Sequence, residues 1–353
     1  MSRTEINKAE KNKSEMDKKI KAIMVGLGNT GIPMVQYMHE HGIEITGAVD
    51  IDKSLKGKRL SELTGIEGLD LAISDNIEEV LRSADADIAL ICTVSLVEDL
   101  YDTALACLNH GVNVLTTAEK AFSPGYNGNR KLIEALSEAA LSHNVTMYAS
   151  GVQDVLWVTF ATVLSGLCSH IDEIHGTNYA LIDGFGPLCL EEAFVGKKVE
   201  EFEEGEQLND DFNYALNEVA LALDLTVVSE ETRISPIICR EDVYSPEAGV
   251  HVKAGEIIGV LTSTTMETEE GVRLAADFHE KLREEGDTEK NEWVIKGSPS
   301  LRLTMDEMYG EYTTCTTVLN RIADVINADA GYISAAQMPA PRYHAHSMEK
   351  YVK

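Results

Sequence analysis

The two halves of the chain arrange their hydrophobic and polar positions differently. Up to about residue 150, short apolar runs alternate with stretches in which apolar residues recur at helical spacing. The runs predict strands at Lys21–Val25, Glu44–Asp50, Asp87–Val94, Val112–Thr117 and Val145–Ala149. The stretches between them predict helices at Ile32–His41, Ile77–Ser83, Val97–Asn109 and Arg130–His143. Regular alternation of this kind predicts a parallel sheet with helices on both faces.

The pattern changes after about residue 152. Asp154–Cys168 predicts one long apolar helix, and Thr313–Asn327 predicts a final one. The strand candidates between them follow one another without helices: Ile171–Ile182, Thr226–Cys239, Glu256–Thr268, Val272–Leu282 and Trp293–Met305. Such a cluster predicts a mixed or antiparallel sheet. The expected fold is α/β, with an N-terminal doubly wound parallel sheet of the Rossmann type and a second α+β domain.

Four segments follow from this division. Residues 1–20 form a basic tail that we expect to be mobile, and residues 21–152 form the first domain. Residues 153–310 form the second domain, and we expect the C-terminal helix and tail at 311–353 to pack back on the first domain.

Charge excludes several classes of partner. The 353 residues hold 59 acidic and 30 basic side chains, a formal net charge of −29, while the first 20 residues carry +2. A body this acidic repels phosphate backbones, so neither nucleic acid nor an anionic membrane surface is expected as a partner. The longest stretch without a charged residue, Val155–Ile171, has 17 residues, whereas a membrane span needs about 20.

Cysteine and histidine usage adds two expectations. The six cysteines are widely spaced and form no CxxC, and no export signal precedes the first domain, so we expect reduced thiols in a cytoplasmic protein. His344 and His346 have no partner cluster elsewhere, so no metal site is expected there.

The glycine turn after the first strand is the strongest chemical signal. It runs Gly26-Leu27-Gly28-Asn29-Thr30-Gly31, a strand precedes it and a helix follows. Glycines in this arrangement let backbone N–H groups approach a pyrophosphate at the start of the helix. Asp50 ends the second strand, 19 residues after Gly31, where a carboxylate can bind the adenosine ribose. Together these residues predict a dinucleotide site.

The residues at and after Asp50 bear on the choice between NAD and NADP. Asp50 favours NAD because a carboxylate repels a 2′-phosphate. Lys53, Lys56, Lys58 and Arg59 follow it, and any of these cations would suit the phosphate of NADP. The sequence therefore favours NAD and leaves use of both cofactors open.

Two strand ends are expected to border the nicotinamide half of the cofactor, because ligands of doubly wound sheets lie beyond the carboxyl ends of the strands. Thr93, Val94 and Ser95 follow one strand. Ala118 and Glu119 follow the next. A carboxylate at such an end can act as a general base or form a local ion pair, and the neighbouring Lys120 keeps the second alternative open.

Five segments together resemble one family: GLGNTG, ICTVSLVEDLY, GVNVLTTAEKAFSP, SGVQDVLW and the late NRIADVINADAGYISAAQMPAPR. The chain is similar over about residues 21–345 to native amine dehydrogenases and 2,4-diaminopentanoate dehydrogenases, relatives of dihydrodipicolinate reductase. The resemblance implies that Glu119 is the catalytic carboxylate. It also implies a substrate pocket lined by residues around the GVQD segment and the following strand: Gln153, Val155, Leu156, Trp157, Asn178 and Tyr179. A homodimer formed through the second domain is implied as well.

What the resemblance implies chemically is NAD(P)-dependent reductive amination of a ketone or aldehyde with ammonia, and the reverse oxidative deamination of an amine. One feature narrows the substrate: residues 132–196 contain no Lys or Arg. Because a substrate carboxylate normally meets a cation, we expect a neutral, partly aromatic pocket built from Trp157 and Tyr179. The alternative is that Arg233, Arg302 or another subunit supplies the cation.

Three other functions remain open. A 2,4-diaminopentanoate dehydrogenase would run the same chemistry on a diamino acid. A dihydrodipicolinate reductase-like enzyme is disfavoured because its paired histidines and its lysine-bearing anion site have no counterpart here. A regulator that binds NAD without turnover would have no use for Glu119.

Overall fold

The computed structural model describes residues 19–202, 211–306 and 308–353, so the predicted mobile tail at 1–20 lies almost wholly outside the described residues. The chain divides into two compact units, Met1–Val152 together with Thr314–Lys353, and Gln153–Thr313. No helix within the described ranges is long and apolar enough to cross a membrane.

The first unit is built on a six-stranded parallel sheet in the order β14-β5-β4-β3-β1-β2. Its strands are β1 Lys21–Val25, β2 Glu44–Val49, β3 Ile88–Ile91, β4 Asn113–Thr116, β5 Thr146–Ala149 and β14 Gly331–Tyr332. Its helices are α1 Gly31–Glu40, α2 Leu60–Thr64, α3 Ile77–Ser83, α4 Val97–Asn109 and α5 Arg130–His143. All four residues of β3 are buried, as expected for a strand covered on both faces. The predicted Rossmann sheet is confirmed.

The C-terminal segment contributes to the core of this first unit. The last helix, α9 Gly310–Asn327, buries Cys315, Val318 and Ile322 in one cluster with Met24 of β1 and Met34 of α1. Beyond α9, β14 pairs in parallel with β5 and adds an edge strand to the sheet. Sequence order alone would not place a strand from residue 331 beside one from residue 146.

The second unit carries a six-stranded sheet in the order β13-β12-β6-β11-β10-β7. Its strands are β6 His170–Leu181, β7 Val227–Ile238, β10 Ile257–Thr268, β11 Arg273–Lys281, β12 Lys290–Ser298 and β13 Leu301–Asp306, and a separate hairpin pairs β8 Val243–Ser245 with β9 Val250–Val252. Only β6 and β11 pair in parallel, and the other neighbours are antiparallel. The predicted mixed, mostly antiparallel sheet is confirmed.

Three details of the second unit differ from the prediction. The single strand expected at Trp293–Met305 is two antiparallel strands, β12 and β13. Two helices, α7 Pro187–Glu192 and α8 Asp211–Ala222, lie between β6 and β7, so the expectation of strands without helices was wrong. Because α8 buries Phe212, Leu216 and Val219 at helical spacing, it folds onto the sheet as an amphipathic helix.

The third difference is at the start of the unit. The apolar helix predicted at Asp154–Cys168 is a π-helical turn at Asp154–Thr159 followed by α6, Phe160–Ser165. Such π-helical turns are rare and are frequent at functional sites.

The two faces of the second sheet have different surroundings. Contacts of α6 with β6 and β12, and of α8 with β10 and β11, cover one side, which we call the covered face. We call the opposite side the polar face. Because successive strand residues point to opposite sides, Ile174, Gly176 and Asn178 of β6 lie on the covered face, whereas His175 and Tyr179 lie on the polar face.

Candidate functional site

The glycine turn after β1 is held by its own backbone. Gly26 has φ +90°, and its N–H donates to the carbonyl of Val49 at 2.9 Å. A Cβ on Gly26 would lie 2.3 Å from the carbonyl oxygen of Cys92, and a Cβ on Gly31 would lie 1.9 Å from that of Gly26. Neither position can accept a side chain without moving the backbone.

Gly28 differs from the other two glycines of the turn. Among the described residues, no atom outside its two chain neighbours lies within 4 Å of the position that its Cβ would take. Glycine at this position therefore keeps space outside the protein free rather than relieving an internal clash. The side chain of Thr30 forms no capping hydrogen bond, so it leaves the start of the ten-residue α1 free for a phosphate. A dinucleotide pyrophosphate fits this cradle.

Asp50 is fixed at the end of β2 by two backbone donors. The N–H of Leu27 donates to its Oδ2 at 2.7 Å, and the N–H of Asp52 donates to its Oδ1 at 2.8 Å. Each carboxylate oxygen retains a lone pair for a ribose hydroxyl. Two of the four nearby cations are engaged elsewhere, because Lys56 pairs with Asp75 at 2.7 Å and Arg59 donates to the carbonyl of Asp70 at 3.0 Å.

The ends of β3 and β4 are joined at the same edge of the sheet. The N–H of Lys120 donates to the carbonyl of Ser95 at 3.0 Å, and the N–H of Thr117 donates to that of Ile91 at 3.2 Å. Thr93 lies directly beside the glycine turn, with its methyl group 2.7 Å from where a Gly26 Cβ would be. Val94 and Ser95 are exposed here, whereas Ala118 is fully buried.

Glu119 is the first residue of a 3₁₀ turn, Glu119–Ala121, and is half-buried. Three hydrogen bonds hold this turn: Ala121 N–H to the carbonyl of Ala118 at 3.1 Å, Asn127 Nδ2 to that of Lys120 at 3.1 Å, and the Tyr332 hydroxyl to that of Ala121 at 2.8 Å. Tyr332 arrives from β14, and no local sequence signal points to it. The carboxylate therefore stands on a rigid loop at the ligand edge of the sheet.

A cysteine nucleophile at this edge is disfavoured. Burial raises the pKa of the Cys92 thiol to about 12, against a weaker opposing hydrogen bond with Thr117. The neutral thiol is a poor nucleophile. No group of three or more His, Cys, Asp or Glu side chains suited to a metal ion occurs in the described parts of the chain.

In the second unit, Trp157 stands on the π-helical turn and is 5% exposed. Its ring stacks on Phe212 with centroids 4.3 Å apart and meets Phe278 edge-on at 5.5 Å. Asn178, also buried, accepts a hydrogen bond from Asn291 on the same covered face at 3.4 Å. Gln153 is buried, and Val155 is half-buried.

Tyr179 lies on the opposite side of the sheet. Its ring stacks on His279 with centroids 4.3 Å apart, and the Nζ of Lys290 lies 5.8 Å from its centroid. Within this chain the sheet therefore lies between Trp157 and Tyr179, and a pocket built from both stays a prediction. Adjacent strand residues alternate between faces, so the neighbour of a covered-face residue cannot join it.

The polar face carries a network of titratable groups. Asp277 accepts from Ser263 at 2.5 Å and contacts His175 Nε2 at 2.9 Å, and the hydrogen bond from His175 is the main reason that its pKa is lowered. Burial would raise the pKa of Glu173, but the hydrogen bond from Lys296 at 2.7 Å and the charge of Arg273 outweigh it and lower the value.

Cations are confined to one face of this sheet. By strand alternation, every Lys and Arg of its six strands lies on the polar face: Arg233, Arg273, Lys281, Lys290, Lys296 and Arg302. The π-helical turn, α6 and α8, which cover the other side, contain no Lys or Arg. Arg233 and Arg302, the cations considered as alternatives, pair on the polar face with Glu231 at 2.6 Å and Glu292 at 3.1 Å.

Residues 154–353 match the family described as the 2,4-diaminopentanoate dehydrogenase C-terminal domain. The chain belongs to this family. It is a dehydrogenase that acts on CH–NH₂ donors, as the resemblance implied. Residues 20–145 match the oxidoreductase family with an NAD-binding Rossmann fold, so the first unit is an NAD(P)-binding domain.

Individual relatives agree with this family. The chain is 25% identical over 336 residues to the 2,4-diaminopentanoate dehydrogenase of Acetoanaerobium sticklandii, covering 92% of this chain and 94% of the relative. It is 29% identical to the amine dehydrogenase of Mycobacterium smegmatis, with a TM-score of 0.85 over 94% of this chain and 99% of the other. The myo-inositol 2-dehydrogenase of Lactobacillus plantarum shares the fold at 13% identity, with a TM-score of 0.58 over 88% of this chain and 89% of the other. Membership of the family alone does not decide the substrate.

Proposed function

We propose that this dehydrogenase aminates neutral ketones or aldehydes with ammonia and, in reverse, deaminates the corresponding amines. The observation that carries the proposal is the absence of Lys and Arg from the covered face and from the helices over it, all within the described residues. A buried carboxylate needs a paired cation, so such a surface favours neutral substrates. A carboxylate-bearing substrate would have to meet a cation from elsewhere.

Glu119 is the residue we propose for proton transfer. In the amination direction it would take a proton from ammonium and return one to the departing hydroxyl of the carbinolamine. In the deamination direction it would accept a proton from water as that water adds to the imine carbon. The bound NAD(P) supplies or accepts the hydride. The hydrogen-bonded 3₁₀ turn supports this role, because a fixed backbone limits the positions that the Glu119 side chain can take and so the entropy lost when it acts.

We propose NAD as the preferred cofactor, with NADP use open. The carboxylate of Asp50 is held by Leu27 and Asp52 and cannot turn away from a 2′-phosphate without losing both hydrogen bonds. The two cations already paired, Lys56 and Arg59, support the same preference. Asp50→Ala should reduce the ratio of kcat/KM for NADH over NADPH by about 10-fold or more, as removal of one charge–phosphate repulsion predicts.

The second candidate is the oxidation of 2,4-diaminopentanoate itself, favoured by the match of residues 154–353 and by the Acetoanaerobium sticklandii relative. Activity measurements on both classes of substrate distinguish the two candidate functions. NADH oxidation with ammonium is measured for cyclohexanone and short aldehydes, and NAD reduction for 2,4-diaminopentanoate. Far higher kcat/KM on the diamino acid would contradict the neutral-substrate proposal.

The same assay tests the carboxylate. Glu119→Gln keeps the size of the side chain and removes its basicity, so we expect kcat to fall by about 10² to 10⁴, as loss of a general base predicts. NADH affinity, measured by fluorescence titration, should stay the same. Wild-type rates in Glu119→Gln would remove Glu119 from its role.

We also propose a homodimer that forms through the polar face, in a cytoplasmic enzyme with six free thiols. On this face the strands carry the six cations and six carboxylates, the latter being Glu173, Glu231, Glu267, Asp277, Glu292 and Asp306. Two copies of a chain with net charge −29 repel each other, so a formally neutral face favours their contact. The double variant Arg302→Glu/Arg233→Glu should shift the molar mass from dimer to monomer in light scattering, and an unchanged mass would contradict the interface.

A further inference from the structure

Two buried hydrogen-bonding groups on the covered face have no partner among the described residues. They are the indole Nε1 of Trp157 and the hydroxyl of Thr262, with side chains 5% and 2% exposed. Buried polar atoms in folded proteins are almost always hydrogen-bonded, so two without partners in one region need an explanation.

Both groups border the same side chain, Phe278. Thr262 is the register partner of Phe278 across β10 and β11, and the Trp157 ring meets the Phe278 ring at 5.5 Å. Asn178 is the register partner of Phe278 on the other side, in β6. The stacked Phe212 covers this cluster from α8. The arrangement is a buried aromatic cluster with two unpartnered hydrogen-bonding groups beside it, a lining typical of small-molecule sites.

The chemistry of the two groups defines the ligand atom that would satisfy them. An indole N–H can only donate, and a threonine hydroxyl can donate while also accepting. Both are satisfied by an acceptor oxygen. Because the covered face and its helices hold no Lys or Arg, that oxygen is better a neutral alcohol, ether or carbonyl than a carboxylate.

The reacting group of the substrate suits donors of this kind in only one direction of the reaction. It is a carbonyl in one direction and an amine, protonated in water, in the other, and an ammonium has no lone pair to offer to an indole N–H. A substituent oxygen elsewhere in the molecule is unchanged by the reaction and can keep the hydrogen bond in both directions.

We infer that Trp157 and Thr262 bind a neutral oxygen substituent, so that the enzyme prefers oxygen-substituted amines and ketones to their plain alkyl counterparts. This rests on the proposed amine dehydrogenase function. It goes beyond that function by naming the substituent and the two residues that select it.

The test compares methoxyacetone with pentan-2-one, which differ only by an oxygen in place of a methylene. Trp157→Phe and Thr262→Val each remove one hydrogen-bonding group; valine keeps the shape of threonine, whereas phenylalanine keeps an aromatic ring of smaller volume. In the wild type, kcat/KM is measured for both ketones with ammonium and NADH. The adjacent oxygen also makes the carbonyl more electrophilic, but it does so in every variant, so the change in the ratio between wild type and variant isolates the hydrogen bond.

We expect each variant to lower the ratio of methoxyacetone to pentan-2-one by about 3- to 10-fold, the effect of one neutral hydrogen bond. The matched pair of amines, 1-methoxypropan-2-amine and pentan-2-amine, should show the same change in the deamination direction. Thr46→Val is the control, because its hydroxyl donates to the Ala22 carbonyl at 3.4 Å in the first unit, and it should leave the ratio unchanged. Thermal unfolding of each variant confirms that it is folded.

The outcomes separate the inference from the function on which it rests. Turnover with an unchanged ratio in both variants would overturn the inference alone. Equal losses on both ketones would overturn it too, since they would place the donors on the reacting oxygen. No ammonium-dependent turnover of any ketone or aldehyde by the wild type would overturn the proposed function as well.

Discussion

The glycine turn of the first unit and the covered face of the second unit, proposed above as the cofactor and substrate sites, are built in different ways. In the turn, the backbone itself makes room for a ligand: Gly26 and Gly31 allow the chain to fold on itself, and Gly28 leaves space. The covered face is instead lined by side chains from separate elements, with Trp157 on the π-helical turn and Thr262 and Phe278 on neighbouring strands.

This difference decides what each region tolerates. A turn made by backbone is sensitive to a single added methyl group at the wrong glycine. A site lined by side chains keeps its fold when one side chain is replaced by another of the same shape. Such a replacement is expected to change which substrates the site prefers. Substitutions matched within each region test this contrast.

The largest effect is expected from Gly31→Ala compared with Gly28→Ala. The new Cβ at residue 31 would lie 1.9 Å from the Gly26 carbonyl oxygen, so the backbone must move and about 3 kcal/mol of unfolding free energy should be lost, the upper end of the cost of overpacking. The new Cβ at residue 28 meets no atom of the described residues beyond its chain neighbours within 4 Å, so stability should not change. Thermal unfolding measures both.

NADH titration of the same two variants completes the comparison. Both should bind NADH at least about 10-fold more weakly, Gly31→Ala because the turn is distorted and Gly28→Ala because its methyl group occupies the phosphate approach. Wild-type affinity in Gly28→Ala would show that the space beside Gly28 does not receive the cofactor.

The same contrast explains how far the sequence could predict this molecule. The Rossmann strands and the glycine turn were predicted because their signals are local. The strand predicted at Asp87–Val94 is longer than β3 by one residue at its start and three at its end. Faces of the second sheet were not predicted. Asn178 and Tyr179 are adjacent in sequence, and only the register of strands far apart in the chain decides which neighbours each receives.

Other features depend on contacts that no local pattern contains. The π-helical turn at Asp154–Thr159 lies in an apolar run that is equally compatible with a regular helix. Tyr332 supports the turn of Glu119 from more than 200 residues away. Helix α8 has the spacing of an amphipathic helix and could have been found by counting Phe212, Leu216 and Val219.

An intermediate effect on the free energy of unfolding is expected when the two tryptophans of the second unit are replaced and compared. Trp293 is fully buried and its indole N–H donates to the carbonyl of Leu156, whereas the indole N–H of Trp157 has no acceptor among the described residues. Replacing either ring by phenylalanine removes similar volume. Trp293→Phe also leaves the Leu156 carbonyl without its donor, so it should lose about 2 kcal/mol more unfolding free energy than Trp157→Phe.

Urea unfolding of the two variants gives this difference directly. Equal losses of unfolding free energy in the two variants would mean that Trp157 has a hydrogen-bond partner in solution. The covered face would then be an ordinary packed core.

The smallest effect is expected from a side chain of the first unit whose contribution to the free energy of unfolding depends on pH. His344 is buried against the ring of Tyr351, with centroids 4.1 Å apart, and its Nδ1 has no partner in the described residues. Burial lowers the pKa of His344 below its usual 6.5, the nearby His41 acts in the same direction, and Asp324 opposes them. The folded chain therefore binds fewer protons at this site than the unfolded chain does.

A lowered histidine pKa makes stability rise with pH through this window. The contribution of neutral His344 is complete above about pH 6.5 and is lost as the pH falls below that value. His344→Gln should unfold at a lower temperature than wild type at pH 7.5, because the stacking on Tyr351 is lost, but its melting temperature should fall less between pH 7 and pH 5. His346→Gln, at an exposed position two residues away, should follow the wild-type pH dependence. If His344→Gln and wild type lose equal stability over this range, the C-terminal segment is held in the first unit by contacts that do not require a neutral imidazole.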